Sequence, residues 1–204
     1  MRVGIFGGTF DPVHYGHLIV AEQAREQGRL DQVWFVPSAR PPHKVDRVVS
    51  PFDRRADMLA LAIAGHEDQF RVEPMESDRP GPSYTADTLA TLDREHPGTE
   101  WFLILGADSV RDLPEWHEPL RIIDRATILV AGRPRHPVWS AAELAAALRV
   151  EPDRVRLQVV EVPLIDIASR DLRRRAATGR SLLFQLPRAV EVYIREKGLY
   201  RTAP

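Results

Sequence analysis

The chain has 204 residues, a length that suits one domain with or without a small appendage and that can bury a sizeable core. It is 44% hydrophobic and 28% charged with a formal net charge of −1, so nothing in its balance draws it to nucleic acid or to an anionic membrane. Cysteine is absent, which excludes disulfides, thiolate metal sites and a cysteine nucleophile.

In chain order, the apolar run Arg2–Phe6 predicts a buried strand. Gly7-Gly8 then reads as a tight turn that lets backbone approach a ligand, and Thr9 to Pro12 as a connector. His14 and His17 follow, split by Gly16, where a helix His17–Gln27 begins. Further strands are expected at Gln32–Val36, Phe70–Glu73, Trp101–Leu105, Thr127–Ala131 and Val155–Val162. Further helices are expected at Pro51–Ala64, Ala86–Glu95, Ala141–Leu148, Ser169–Thr178 and Pro187–Lys197.

Local chemistry supports several of these boundaries. Ser50-Pro51 reads as an N-cap followed by proline at the first helical position, Ser140 with Glu143 as a capping box, and Gly198 as a C-terminal stop. Strands alternating with helices of about 10 to 15 residues predict right-handed βαβ units and a doubly wound parallel sheet, class α/β. Two stretches break the alternation, Pro37–Val49 and Glu76–Ser83; both read as loops at the carboxyl edge of the sheet, where ligands bind. No apolar run approaches the roughly 18 residues of a membrane span, and the first residues already read as a core strand, so a cytoplasmic protein is expected.

A strand, a glycine turn and a helix start make an anion site, because free N–H groups and the helix dipole converge there. Two imidazoles at that place point to nucleotide phosphates. A metal pair is the rival reading, but it lacks a third ligand at metal spacing, and no metal site is expected. Asp108, after Gly106 at the end of the fourth strand, suits the two hydroxyls of a ribose or caps a short helix. Thr85 suits a helix cap, and Trp116 is either a core residue or a stacking platform.

The pattern Gly8-x-Phe10-x-Pro12-x-His14-x-Gly16-His17 resembles the signature of the HxGH nucleotidyltransferases, whose fold is Rossmann-like. The longer string GGTFDPVHYGH is similar to that of bacterial nicotinate-nucleotide adenylyltransferases. The likeness extends through VWFVPSARPPHK (33–44), GPSYTADTL (81–89), LGAD (105–108), LPEWH (113–117), RP (133–134), the segment at 169–173 and VYIREKGLY (192–200).

The resemblance implies one nucleotidyltransferase domain over 1–204 with a small C-terminal helical part at about 167–204. It implies transfer of the adenylyl group of ATP to nicotinate mononucleotide, with release of pyrophosphate. His17 and His14 would be catalytic. Gly8, Thr9, Phe10, His14, His17, Gly106, Asp108, Arg133, Ser169 and Arg173 would hold ATP. Lys44, Tyr84, Thr85 and Trp116 would hold the mononucleotide, with Trp116 on the pyridine ring. Mg²⁺ would arrive with ATP, without a dedicated protein ligand. The partners implied are these small molecules, and the reading is compatible with a homo-oligomer.

One motif departs from the pattern. Where the family has I-S-S-T-x-I-R, this chain has Ile167-Ala168-Ser169-Arg170-Asp171-Leu172-Arg173, which leaves Arg170 or backbone N–H groups to complete the triphosphate site. The alternatives are another HxGH adenylyl- or cytidylyltransferase, such as phosphopantetheine adenylyltransferase, and a nucleotide-binding module without catalysis.

Overall fold

The structure, a computed structural model, describes residues 1–40, 49–77, 79, 81–132 and 137–201. Six strands, β1 (Arg2–Gly8), β2 (Gln32–Pro37), β3 (Phe70–Val72), β4 (Glu100–Gly106), β5 (Ala126–Gly132) and β6 (Leu157–Glu161), form one sheet in the order β3-β2-β1-β4-β5-β6. Every pair is parallel. The described residues form eight α-helices: α1 (Tyr15–Gln27), α2 (Phe52–Ile63), α3 (Thr85–Glu95), α4 (Ala107–Asp112), α5 (Pro119–Arg125) and α6 (Ala141–Leu148) between the strands, and α7 (Ser169–Ala177) and α8 (Arg188–Glu196) after the last.

The period of two along each strand sorts the core into two layers. Val3, Ile5, Trp34, Val36, Trp101, Leu103, Ile128 and Val130 face α3 through α6, meeting Leu89, Leu92, Ile122 and Leu144. Val33, Phe35, Phe102, Ile104 and Leu129 face α1, α2, α7 and α8, meeting Ala21, Met58, Leu59, Leu172 and Val190. Helices on both faces of a parallel sheet define the doubly wound α/β architecture. The strand order reverses at β1 and β4, so the loops leaving their carboxyl ends diverge and open a crevice between them.

Several boundaries differ from expectation. Gly7 and Gly8 are not the turn; they end β1, and the chain reverses over Phe10 to Pro12, where Phe10 itself adopts φ +50°. Glycine at position 8 is required by proximity instead, since a Cβ there would lie 2.8 Å from the Phe10 ring. The N-cap of α2 is Pro51 rather than Ser50, whose backbone is turned to other partners. Thr85 is the first residue of α3 and not its cap, which is Tyr84. Asp108 lies past β4, in the first turn of α4, behind Gly106 as N-cap. The last strand starts at Leu157, because Pro152–Arg154 forms a 3₁₀ turn before it.

Helix α5 and the 3₁₀ turn Leu113–Glu115 were not expected; at seven and three residues they are too short to show a helical period. The short helix expected after Asp108 is present as α4, with Asp108 inside it rather than as its cap. The capping box at Ser140 and Glu143 is present, with the Glu143 N–H donating to Ser140 Oγ at 3.2 Å and the Ser140 N–H to Glu143 Oε2 at 2.8 Å. Gly198 follows α8 at φ +62°. Among the described residues no helix is long and apolar enough to cross a membrane.

Candidate active site

The crevice at the carboxyl edge is a cavity of about 600 Å³. Gly7 and Gly8 from β1, Thr9 after it and Gly106 from β4 form its floor, with Tyr84 and Thr85 at the start of α3 and Trp116 and His117 after the 3₁₀ turn as walls. Gly7 opens onto it, with no atom near the place of a Cβ. The Tyr84 and His117 rings stack at 4.2 Å. The loops after β2 and β3 are tied together here, with the Ser83 N–H donating to the Arg40 carbonyl at 3.2 Å and the Arg40 N–H to Ser83 Oγ at 3.3 Å.

Beside the cavity stand the two histidines. His14 is the N-cap of α1 and His17 lies in its first turn, so the rings stack, centroids 3.8 Å apart. The His14 N–H donates to His17 Nδ1 at 3.3 Å. With Nδ1 accepting, the proton of neutral His17 sits on Nε2, which makes that edge of the ring a donor. Phe10 packs edge-on against His17 at 5.1 Å and holds the ring in place. His14 is buried, and burial pushes its pKa down to about 4, so it is neutral at pH 7. Its Nδ1 has no hydrogen-bond partner among the described residues. Gly16 passes so close that a Cβ there would lie 3.0 Å from this atom.

The turn between β1 and α1 is fastened from the side opposite the cavity. Arg55 of α2 is 2% exposed, and its Nη1 donates to the Thr9 carbonyl at 2.9 Å and its Nε to the Ser50 carbonyl at 2.9 Å. Burial lowers the pKa of this guanidinium, and the facing Asp11, Tyr200 and Glu76 oppose that shift. Asp11 is buried; its Oδ2 accepts the Ser50 N–H at 3.2 Å and its Oδ1 accepts the Tyr200 hydroxyl at 2.6 Å.

Helix α7 joins the same fastening. The Ser169 hydroxyl donates to the Pro12 carbonyl at 2.9 Å and Arg173 Nη1 to the Asp11 carbonyl at 2.6 Å. The Ser169 proton is therefore directed at the loop rather than outward. Ser169 and Arg170 open α7 with N–H groups that meet no acceptor among the described residues.

The cavity thus gathers Gly8, Thr9, Tyr84, Thr85, Gly106 and Trp116, while Phe10, His14 and His17 belong to the adjoining turn and helix start, to which Ser169 and Arg173 of α7 are bonded. Asp108 is exposed on α4 and is not one of the cavity walls. Lys44 and Arg133, expected at the mononucleotide and at ATP, lie outside the described residues. Sequence reasoning missed Arg55, Glu76 and His117. Arg55 carried a signal: it occupies the apolar face of α2 with Met58, Leu59 and Ile63. Glu76 is buried and accepts the Thr88 hydroxyl at 2.8 Å, a pairing between the loop after β3 and the first turn of α3 that no local pattern announces.

An open doubly wound sheet with a nucleotide-sized crevice and a stacked histidine pair at the first helix defines a nucleotidyltransferase, and the chain belongs to the cytidylyltransferase-like family, whose model matches residues 5–175. Within that class it belongs to the nicotinate-nucleotide adenylyltransferases. A relative from Thermomicrobium roseum named a probable nicotinate-nucleotide adenylyltransferase is 48% identical over 201 residues, 98% of this chain and 92% of that protein. A relative of the same name from Thermus thermophilus is 47% identical, over 98% of this chain and all of its own (100%). The fold matches the Plasmodium falciparum nicotinic acid mononucleotide adenylyltransferase complexed with NaAD, at TM-score 0.77 and 19% identity, over 98% of this chain and 97% of that one.

Proposed function

We propose that the chain transfers the adenylyl group of ATP to nicotinate mononucleotide, giving deamido-NAD and pyrophosphate, with the phosphates at the Thr9–His17 turn and the nicotinate end against Thr85 and Trp116. The observation that carries this is the His14–His17 pair: a backbone N–H held on His17 Nδ1 makes Nε2 a fixed donor beside a nucleotide-sized crevice.

The nucleophile needs no general base. A phosphate monoester has its second pKa near 6, so the mononucleotide is mostly a dianion at pH 7. It attacks the α-phosphorus in line, and pyrophosphate leaves without a covalent intermediate on the protein. The task is to bring two polyanions together and stabilise charge as it moves to the leaving group. His17 Nε2–H and the Phe10 N–H contact the α-phosphate. Neutral His14 keeps the His17 ring in its orientation. The first-turn N–H groups of α7 and the remaining donors of Arg173 hold the leaving group, while Ser169 anchors the loop. Gly106 and Asp108 take the ATP ribose. Arg133 and Lys44 serve ATP and the mononucleotide phosphate.

The start of α3 offers N–H donors and the Thr85 hydroxyl to the nicotinate carboxylate, and Trp116 stacks on the ring. Mg²⁺ enters as part of the Mg–ATP substrate. Pyrophosphate release from ATP is measured with nicotinate mononucleotide, its amide form and phosphopantetheine. Release with the first above the other two is expected; preference for another overturns the substrate reading, and no release with any overturns the catalytic one.

A further inference from the structure

Among the described residues, Arg55 is the buried cation that the reaction scheme leaves unused. It belongs to the apolar face of α2, among Met58, Leu59 and Ile63, and is as buried as they are. A guanidinium in such a place is retained only with its donors satisfied and its charge balanced. Its recorded bonds go to two backbone carbonyls, Ser50 and Thr9, both at 2.9 Å. Asp11, the neighbouring carboxylate, is held by Tyr200 and by the Ser50 N–H. The guanidinium therefore bridges the entry of α2 to the turn after β1.

The Thr9 carbonyl is the informative partner. In a trans peptide the C=O of one residue and the N–H of the next point in opposite directions. A Thr9 carbonyl drawn toward α2, on one face of the sheet, turns the Phe10 N–H the other way. Thr9 lines the cavity, whose walls are drawn largely from the other face, including Ile5, Leu103 and Leu105. The Phe10 N–H has no acceptor among the described residues. Phe10 also holds φ +50°, a left-handed conformation that a bulky side chain does not adopt unaided.

We propose that Arg55 is a positioning residue for adenylyl transfer: by holding the Thr9 carbonyl it aims the Phe10 N–H at one non-bridging oxygen of the α-phosphate. The inference rests on the functional reading above. It makes Arg55 act through the backbone, without touching substrate, and it makes the turn chirally selective at phosphorus, because a fixed N–H distinguishes the two non-bridging oxygens.

The test uses the two diastereomers of ATP in which sulfur replaces one α-oxygen, each assayed with nicotinate mononucleotide and Mg²⁺. Sulfur is a poor acceptor, so the wild-type enzyme turns over one diastereomer faster. In Arg55→Gln, kcat with ATP falls about tenfold to a hundredfold through misplacement of the donor. The KM for the mononucleotide stays near the wild-type value, and the preference between diastereomers collapses toward unity. Arg55→Lys keeps the charge but has a single nitrogen that cannot span both carbonyls; it is read in the same way and serves if the glutamine variant does not fold. Wild-type enzyme without a preference, or variants that retain it, overturn the proposal. Wild-type enzyme that releases no pyrophosphate overturns the functional reading and this one with it, whereas active wild type with unchanged variants overturns this one alone.

Discussion

The Tyr200 hydroxyl donates to Asp11 Oδ1 at 2.6 Å, joining residues 189 positions apart. The end of the described chain thereby holds the loop on which the phosphates are proposed to sit. Burial first, and the Asp11 carboxylate next, push the Tyr200 phenol well above its ordinary range, so it remains a donor throughout the working pH range. Asp11 keeps only the Ser50 N–H on its other oxygen if this donor is removed.

Tyr200→Phe deletes that donor and leaves the ring. A hydrogen bond to a charged group contributes about 1.5–3 kcal/mol, so Tm falls by several degrees in thermal denaturation. An unchanged Tm would show that the hydroxyl contributes nothing.

Stability depends on acid through His14. In the unfolded chain this imidazole takes a proton below its ordinary pKa of 6.5; in the fold burial delays that to about 4. The unfolded state binds more protons between these values, so stability is intact above pH 6.5 and declines as pH falls toward 4. The full decline is about 3 kcal/mol. Urea midpoints measured from pH 7 to pH 4 should show a flatter profile for His14→Gln; equal slopes would contradict the assignment.

His17→Ala removes the donor proposed at the α-phosphate. Loss of one such contact costs about 10²–10³ in kcat, and the KM for the mononucleotide should change little. A folded His17→Ala enzyme with near wild-type turnover would remove His17 from the mechanism.

Gly16→Ala tests the close approach at the histidine pair. Its methyl group would meet His14 Nδ1 at 3.0 Å and Cε1 at 3.1 Å, against a ring stacked on His17. This crowding outweighs the helix-propensity gain of about 0.8–1 kcal/mol and displaces the pair. A lower Tm together with a lower kcat is expected, read by calorimetry and steady-state kinetics; both unchanged would show that the site absorbs the methyl group.

Thr85→Val and Trp116→Ala are expected to act differently on acid and amide substrates. The threonine hydroxyl is proposed to meet the carboxylate, so its loss should raise the KM for nicotinate mononucleotide by about tenfold and that for the amide less. The tryptophan ring is proposed to stack on either pyridine, so its loss should raise both KM values together. An acid-to-amide ratio that moves with Trp116 and not with Thr85 would reverse the two roles.

The sheet was legible because each strand but one carries a run of apolar residues, and parallel strands are buried on both faces. The histidine pair was legible because its residues lie within one helical turn of each other. Residues whose meaning is local, such as Ser140 with Glu143, were readable for the same reason. Arg55, Glu76 and Tyr200 were not, because each takes its role from a partner on another element.

By itself the sequence determined the α/β class and the family to which the chain belongs, and it placed the proposed phosphate site at the first turn. These rest on periodicity and on residues near one another in the chain, which local sterics and hydrogen bonding decide. Only the tertiary structure decided that Phe10, and not the glycine pair, makes the turn, that Ser169 faces the loop, and that Arg55 and Tyr200 hold the loop from beneath. A carbonyl finds its donor across the core by packing, and no spacing in the chain encodes that distance.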